Sequence, residues 1–202
     1  VVLDATDSNA TSQLAASIRE YVQALHHVIY AAGAGSGKYG FPFWNMEPRD
    51  WAKVLDVNLL GAVNVAHAFA PVLQAHDHGS LLFIASIAAQ MGSQTDPPYS
   101  AAKAALINFM QVVAKDLAPF HIRANAISPG MIQTTLNRGV WQAWYDQQPE
   151  KGRMDYEQWG AEKIKKLTLG NNFQHSSSNI CYQLREAAHV VNVYVSSFIL
   201  WI

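Results

Sequence analysis

Apolar residues along the chain fall into two alternating patterns. Residues 1–4, 28–32, 81–85 and 123–127 are short runs dominated by Val, Leu, Ile, Ala and Phe, each closed by Asp, Gly or Ser. Runs of this length predict strands buried on both faces. Between them the apolar positions move to helical spacing. Leu14, Ile18, Val22 and Leu25 predict a helix that starts at a cap offered by Asp7, Ser8 or Asn9 and runs to about Leu25. A second helix is predicted from Pro48 to about Ala75, apolar on more than one face and bent or ended by Pro71. A third runs from Tyr99 to Leu117, and 134–168 is helical in pattern and rich in Trp and Tyr. The stretch 171–180 is polar, and a last helix is predicted over 183–197. The order β-α-β-α-β-α-β-α predicts a parallel sheet covered by helices on both faces.

Length and composition narrow this picture. A chain of 202 residues and 22.3 kDa fits one domain or a tight pair, of which a single domain of 1–202 is expected, and half of its residues are apolar, enough for a sizeable core. A formal charge of −1 provides no basic field for nucleic acid. One cysteine, Cys181, excludes an internal disulfide framework and a multi-cysteine metal site. No uninterrupted apolar run reaches the roughly 18 residues of a membrane span, so a cytoplasmic protein without a membrane partner is expected. The chain opens directly in a strand pattern and closes on the apolar stretch 198–202. Natural termini are usually polar, so an internal portion of a longer protein is expected, with the sheet incomplete at both ends.

Two motifs invite a reading that their context argues against. Gly35, Gly37 and Gly40 fit G-x-G-x-x-G after a strand, but Phe41, Pro42, Phe43 and Trp44 follow where a helix should open to meet a pyrophosphate. The same stretch fails as a P-loop, with Ala32 for the first Gly and Tyr39 for the metal-binding hydroxyl. A flexible loop is the expectation. His76 and His78 flank Asp77 in a polar turn with no third ligand in view, so no metal site is expected.

Strand C-termini are where parallel α/β sheets bind ligands. Asp4, the stretch 31–33, Ser86 and the stretch 128–130 all fall there. Just beyond lies Tyr99-Ser100-Ala101-Ala102-Lys103. Residues four apart share a helix face, and an ammonium beside a phenol favours the phenolate, making it a competent acid/base near neutral pH. Chance alone supplies roughly 0.3 such pairs in a chain of this composition, so the pair needs its surroundings. Ser86 ends a buried strand and offers a hydroxyl to a substrate oxygen. Asn58 lies inside a long helix, where Asn is disfavoured and has another reason to be. Gly130, after the next strand, permits close backbone approach.

Together, Asp4 in Leu-Asp-Ala-Thr-Asp, Ala32-Gly33, Asn58, Ser86, Tyr99-x-x-x-Lys103 and the stretch 125–130 (Asn-Ala-Ile-Ser-Pro-Gly) resemble the short-chain dehydrogenase/reductase family, in its order and spacing over about residues 1–136. The resemblance implies a Rossmann-like doubly wound parallel sheet and an NAD- or NADP-dependent oxidoreductase acting on an alcohol or ketone. It implies four catalytic residues: Tyr99 as acid/base, Ser86 orienting the substrate oxygen, Lys103 lowering the Tyr99 pKa and holding the nicotinamide ribose, and Asn58 holding a water in a proton relay. It places Asp4 at the adenine, Ala31, Ala32 and Gly33 along the cofactor, and Pro129, Gly130, Ile132 and Thr134 toward the nicotinamide. Residues 134–183 would form an aromatic substrate lid and variable region. The helices 48–75 and 99–117 would pair copies into a homodimer or homotetramer.

The departures from the family pattern are specific. The Gly-rich phosphate loop belongs to a β-α-β unit of roughly 30 residues that precedes Asp4 in the family, and the last strand would follow Trp201-Ile202. Tyr30-Ala31 stand where Asn-Asn is common, an exchange expected to affect strand support. The missing phosphate loop favours a rival reading, a truncated non-catalytic family member that binds a partner. The filled catalytic positions favour the enzyme.

Overall fold

Three parallel strands, in the order β1-β2-β3, form the sheet of the computed structural model, which describes residues 1–132 and 134–169. They are β1 (His27–Tyr30), β2 (Gly79–Ile84) and β3 (Ile122–Ile127). Val28 and Tyr30 lie level with Leu81 and Phe83, which lie level with Ala124 and Ala126. Side chains alternate faces along a strand, so this register gathers one apolar face. Against it pack α3 (Gly61–Gln74) and α4 (Pro97–Leu117), with α1 (Ser8–Tyr21) packed on α3 and α2 (Pro48–Leu55) on α4. Ile18, Val65, Phe69, Leu73, Leu106, Val113 and Leu117 complete that core.

The opposite face is only partly covered among the described residues. Ile29 is 40% exposed, Leu82 and Ile84 are half-buried, and Arg123 and Asn125 are exposed. Of the helical cover expected on both faces, one face has it here. The strand expected at residues 1–4 does not form: Val1 and Val2 are fully exposed, and no described strand lies beside them to complete a ladder. The segment instead enters a turn, with the Asp7 N–H on the Asp4 carbonyl. The Asp7 carboxylate then caps α1 through the N–H groups of Asn9 and Ala10, at 2.9 Å each, a contribution of about 1 kcal/mol.

α2 and α3 are one continuous run, joined by a π-helical turn at Asp56–Leu60. The run Pro48–Gln74 is long and apolar enough to cross a membrane by composition, although Asn58, Asn64 and His67 interrupt its apolar residues. Here it serves as the core helix, burying Val54, Ala62, Val65, Ala66, Phe69, Val72 and Leu73. It passes through Pro71 and ends at Gln74, within a turn of the proline. The predicted helical region 134–168 is two helices, α5 (Thr135–Asp146) and α6 (Tyr156–Leu169), separated near Pro149, which has no N–H to continue a helix. Aromatic rings join the two: Trp141 meets Tyr156 at 5.8 Å, Trp144 meets Trp159 at 6.5 Å, and Tyr156 stacks on Trp159. Arg138 caps the Tyr156 ring at 4.9 Å. The helix expected at 183–197, Cys181 and the far part of the 134–183 region lie outside the described residues.

Candidate active site

The three strands end level with one another, so their exits share one edge of the sheet. Residues 31–33 leave β1 there, Ala85 and Ser86 leave β2, and 128–130 leave β3. Two backbone bonds hold the last two exits side by side: Ala85 N–H to the Ile127 carbonyl, 2.8 Å, and Ile87 N–H to the Pro129 carbonyl, 2.9 Å.

Tyr99 and Lys103 lie one turn apart in α4, and the structure sets them against that edge. Lys103 is 2% exposed, and its ammonium donates to the Ile84 carbonyl at 2.7 Å, the last residue of β2. Its Nζ lies 5.6 Å from the centre of the Tyr99 ring. The Ser86 hydroxyl faces the Tyr99 phenol closely enough to lower its pKa, so Ser86, Tyr99 and Lys103 are gathered at one spot. Ser86 also caps the short 3-10 turn Ile87–Ala89, accepting from the Ala88 N–H at 3.2 Å. Ser100, next to Tyr99, donates to the Ala88 carbonyl at 2.6 Å and ties α4 to that turn.

Asn58 joins from the core helix. It is fully buried, and its Nδ2 donates to the Ala34 carbonyl at 2.7 Å and the Val54 carbonyl at 2.8 Å. Its Oδ1 has no partner among the described residues. Gly33 sits directly above: a Cβ there would stand 3.2 Å from the Asn58 Oδ1 and 3.5 Å from the Lys103 Nζ. A bare Cα at residue 33 therefore leaves the space over the Asn58 amide and the Lys103 ammonium open.

The electrostatics differ from the expectation for the Tyr/Lys pair. Burial pushes the Tyr99 phenol above its ordinary value; the Ser86 hydrogen bond pulls it down and the Asp96 charge pushes it up. Lys103 is itself pushed down to about 8 by burial. In this geometry burial outweighs the lowering by Ser86, and Tyr99 is held as the neutral acid.

Asp96 is a site residue that the sequence reading missed. It is 4% exposed, its Oδ2 accepts the Ser36 N–H at 2.9 Å, and its Oδ1 has no hydrogen-bond partner among the described residues, while its backbone leads directly into α4. It thus ties the 34–40 loop to the helix that carries Tyr99, and burial raises its pKa. Its position directly before Pro97-Pro98 suits a helix N-cap, but nothing in the sequence reveals that it is buried.

The remaining predicted residues are distributed along the same edge. Asp4 is exposed, and its Oδ1 accepts from the Thr6 N–H and hydroxyl at 2.9 and 2.8 Å, which lowers its pKa. Ala31 is exposed and Ala32 is half-buried. Pro129 and Gly130 are half-buried, and Ile132 is 50% exposed. Thr134 caps α5, and its carbonyl accepts the Tyr156 hydroxyl at 3.2 Å. The 35–40 glycines turn the loop, with Gly37 and Gly40 at positive φ, and only a short 3-10 turn at Phe43–Asn45 precedes the α-helix that opens at Pro48. No cluster of His, Cys, Asp and Glu able to hold a metal ion occurs among the described residues.

A parallel α/β sheet with its polar groups gathered at the carboxyl edge is the Rossmann class of fold. The comparisons with known proteins agree. The family described as enoyl-(acyl carrier protein) reductase matches residues 1–162, and the chain belongs to the short-chain dehydrogenase/reductase family. It is 34% identical over 140 residues to an acetoacetyl-CoA reductase of Synechocystis sp., a match covering 69% of this chain and 57% of that protein. It is 26% identical over 156 residues to the 3-oxoacyl-[acyl-carrier-protein] reductase MabA of Mycobacterium tuberculosis, covering 77% and 60%. The matches thus span less than two thirds of these relatives' lengths. The solved sorbitol-6-phosphate 2-dehydrogenase SrlD of Erwinia amylovora shares the fold, with a TM-score of 0.73, 22% identity, and coverage of 92% of this chain and 70% of that one.

Proposed function

We propose that the whole protein is an NAD(P)-dependent oxidoreductase that interconverts a ketone and an alcohol. The observation that carries this reading is the meeting of half-buried Ser86 and Tyr99 with buried Lys103 at the carboxyl edge of the sheet. The unpartnered Asn58 Oδ1 and the bare Gly33 above it suit a group that brings hydroxyls to that spot, as a nicotinamide nucleotide does through its ribose. Lys103 and Asn58 would hold that ribose end, Ala31, Ala32 and Gly33 would run beside the nucleotide, Asp4 would meet the adenine, and Pro129, Gly130, Ile132 and Thr134 would face the nicotinamide. When bound, the cofactor supplies or accepts the hydride.

The chain's own residues handle the oxygen of the substrate. Ser86 donates a hydrogen bond to the carbonyl oxygen and fixes its position. Tyr99, held neutral by burial, donates its proton to that oxygen as the alcohol forms. Lys103 keeps a positive charge beneath the phenol and stabilises the negative charge that develops there. Asn58 offers its free oxygen to a water that returns the proton from solvent.

Residues 134–183 would act as the substrate lid. α5 stands beside the 35–40 loop, with Gly139 close to the Tyr39 ring and Gln147 close to Gly40, and its aromatic seam with α6 suits a partly apolar substrate. The acetoacetyl-CoA and 3-oxoacyl relatives make acetoacetyl thioesters the first substrates to try. The full-length protein should oxidise NADH or NADPH, followed at 340 nm, with such a substrate or with a mid-sized ketone. An absence of oxidation of both nucleotides with either substrate class would reject the reading.

Pairing of two copies through 48–75 and 99–117 belongs to the same proposal. Leu60, 49% exposed, and Val112, 47% exposed, support it as apolar side chains facing out from these helices. Sedimentation equilibrium should give a dimer or tetramer at micromolar concentration; a monomer alone would count against this pairing.

A further inference from the structure

Asn58 owes its orientation to an irregular stretch of helix, and that stretch has a support outside itself. In the π-helical turn Asp56–Leu60 the Gly61 N–H bonds to the Asp56 carbonyl, five residues back. In an α-helix the same N–H would serve the Val57 carbonyl. The Tyr30 hydroxyl, from the end of β1, donates to the Val57 carbonyl instead. Tyr30 is 4% exposed and lies at the heart of the core. Gly61 makes room for it, because a Cβ at residue 61 would land on the Tyr30 hydroxyl.

We propose that Tyr30 is a positioning residue for the active site: by satisfying Val57 over the bare Gly61, it holds the π turn and so aims the Asn58 oxygen at the gap between Gly33 and Lys103. The geometry gives the reason. A π turn is less favourable than regular α-helix and recurs at functional sites, where something outside the helix sustains it. Without a donor, the half-buried Val57 carbonyl is left unpaired, and return to α pitch would restore its Gly61 partner at the expense of the turn. That return rotates Asn58 about the helix axis and breaks its paired bonds to Ala34 and Val54. Burial and the nearby Asp4 charge push the Tyr30 phenol up to about 12, so it remains a donor at any pH at which the protein is assayed. Tyr30 touches neither Lys103 nor Tyr99 through any hydrogen bond observed here, and its effect passes through Asn58.

The role of Asn58 rests on the proposed oxidoreductase function, so the test has one arm that needs no turnover. In the full-length protein, Tyr30→Phe should speed amide exchange at 57–61 about tenfold or more, read by mass spectrometry, while Gly79–Ile84 is unchanged. In the second arm Tyr30→Phe should lower kcat roughly tenfold with KM within about twofold. In an Asn58→Ala background the same substitution should change kcat less than about twofold, since residues acting in one network are non-additive. Should Tyr30→Phe fold poorly, Gly61→Ala tests the same device by pushing the hydroxyl away, with a residue that favours helix. Unchanged exchange at 57–61 would overturn the proposal, as would an equal loss of kcat in both backgrounds. If the wild type turns over no carbonyl substrate, the oxidoreductase reading falls and the exchange arm alone decides the role of Tyr30.

Discussion

Tyr99→Phe should abolish turnover, lowering kcat by roughly a thousandfold, while the affinity for NADH or NADPH stays within about twofold. The substitution removes one oxygen and keeps the ring that packs near Lys103. Ser86 keeps its cap on the Ala88 N–H. A positioned acid contributes about 100- to 10,000-fold. The raised phenol pKa adds a direction. Reduction uses the protonated phenol and should hold its rate across neutral pH; oxidation needs the deprotonated form and should climb on the alkaline side. Steady-state rates in both directions, with nucleotide binding measured by quenching of the Trp emission, check this. Retention of more than about a tenth of the wild-type kcat would remove Tyr99 from the role of acid.

Lys103→Met should have two large effects of opposite value: a loss of roughly 100-fold or more in kcat and a gain in stability of about 2 kcal/mol at pH 7. The gain follows from burial, which brings the ammonium down from 10.5 to about 8 in the folded protein. Below pH 8 both states carry the proton, and the folded protein bears the full penalty of about 3 kcal/mol. Between about 8 and 10.5 the unfolded chain binds a proton that the folded one has released, so the stability of the wild type rises with pH across that window. Methionine fills the same channel without charge, and only the hydrogen bond to the Ile84 carbonyl is lost, at about 1 kcal/mol. Urea unfolding at pH 7 and pH 10 should therefore show the variant's advantage shrinking at the higher pH. A constant difference would mean that Lys103 is not the titrating group.

Much of this site could be read before any coordinates. Tyr99, Lys103 and Ser86 were legible because a four-residue spacing and a strand end place side chains without knowledge of tertiary contacts. Asn58 stood out as a polar residue within an apolar helix. The change of pitch around it did not, since a π turn depends on the Tyr30 hydroxyl arriving from a different element. Asp96 escaped for a similar reason: an acid before two prolines reads as a solvated cap, and only the folded 34–40 loop buries it. The direction of the Tyr99 shift is not legible in the sequence, which shows that a cation is near but not how little water is left. The strand expected at 1–4 depended on a partner strand, which local apolar pattern cannot supply. Pro149 was visible, yet the helical pattern on either side of it obscured the break between α5 and α6.

The acceptors at this site are mostly main-chain oxygens. Ile84 receives Lys103, Ala34 and Val54 receive Asn58, Val57 receives Tyr30, and Ala88 receives Ser100. A backbone carbonyl is common to every amino acid, so those five acceptor positions are free to drift in identity as long as the chain path holds. Evolutionary constraint then falls on the donors and on the two glycines, Gly33 and Gly61, that give them room. A library randomised at residues 34 and 84 should accept many side chains, whereas one randomised at 33 and 61 should return almost only glycine. The chemistry would thus be inherited through a handful of letters, and most of the surrounding text could be rewritten.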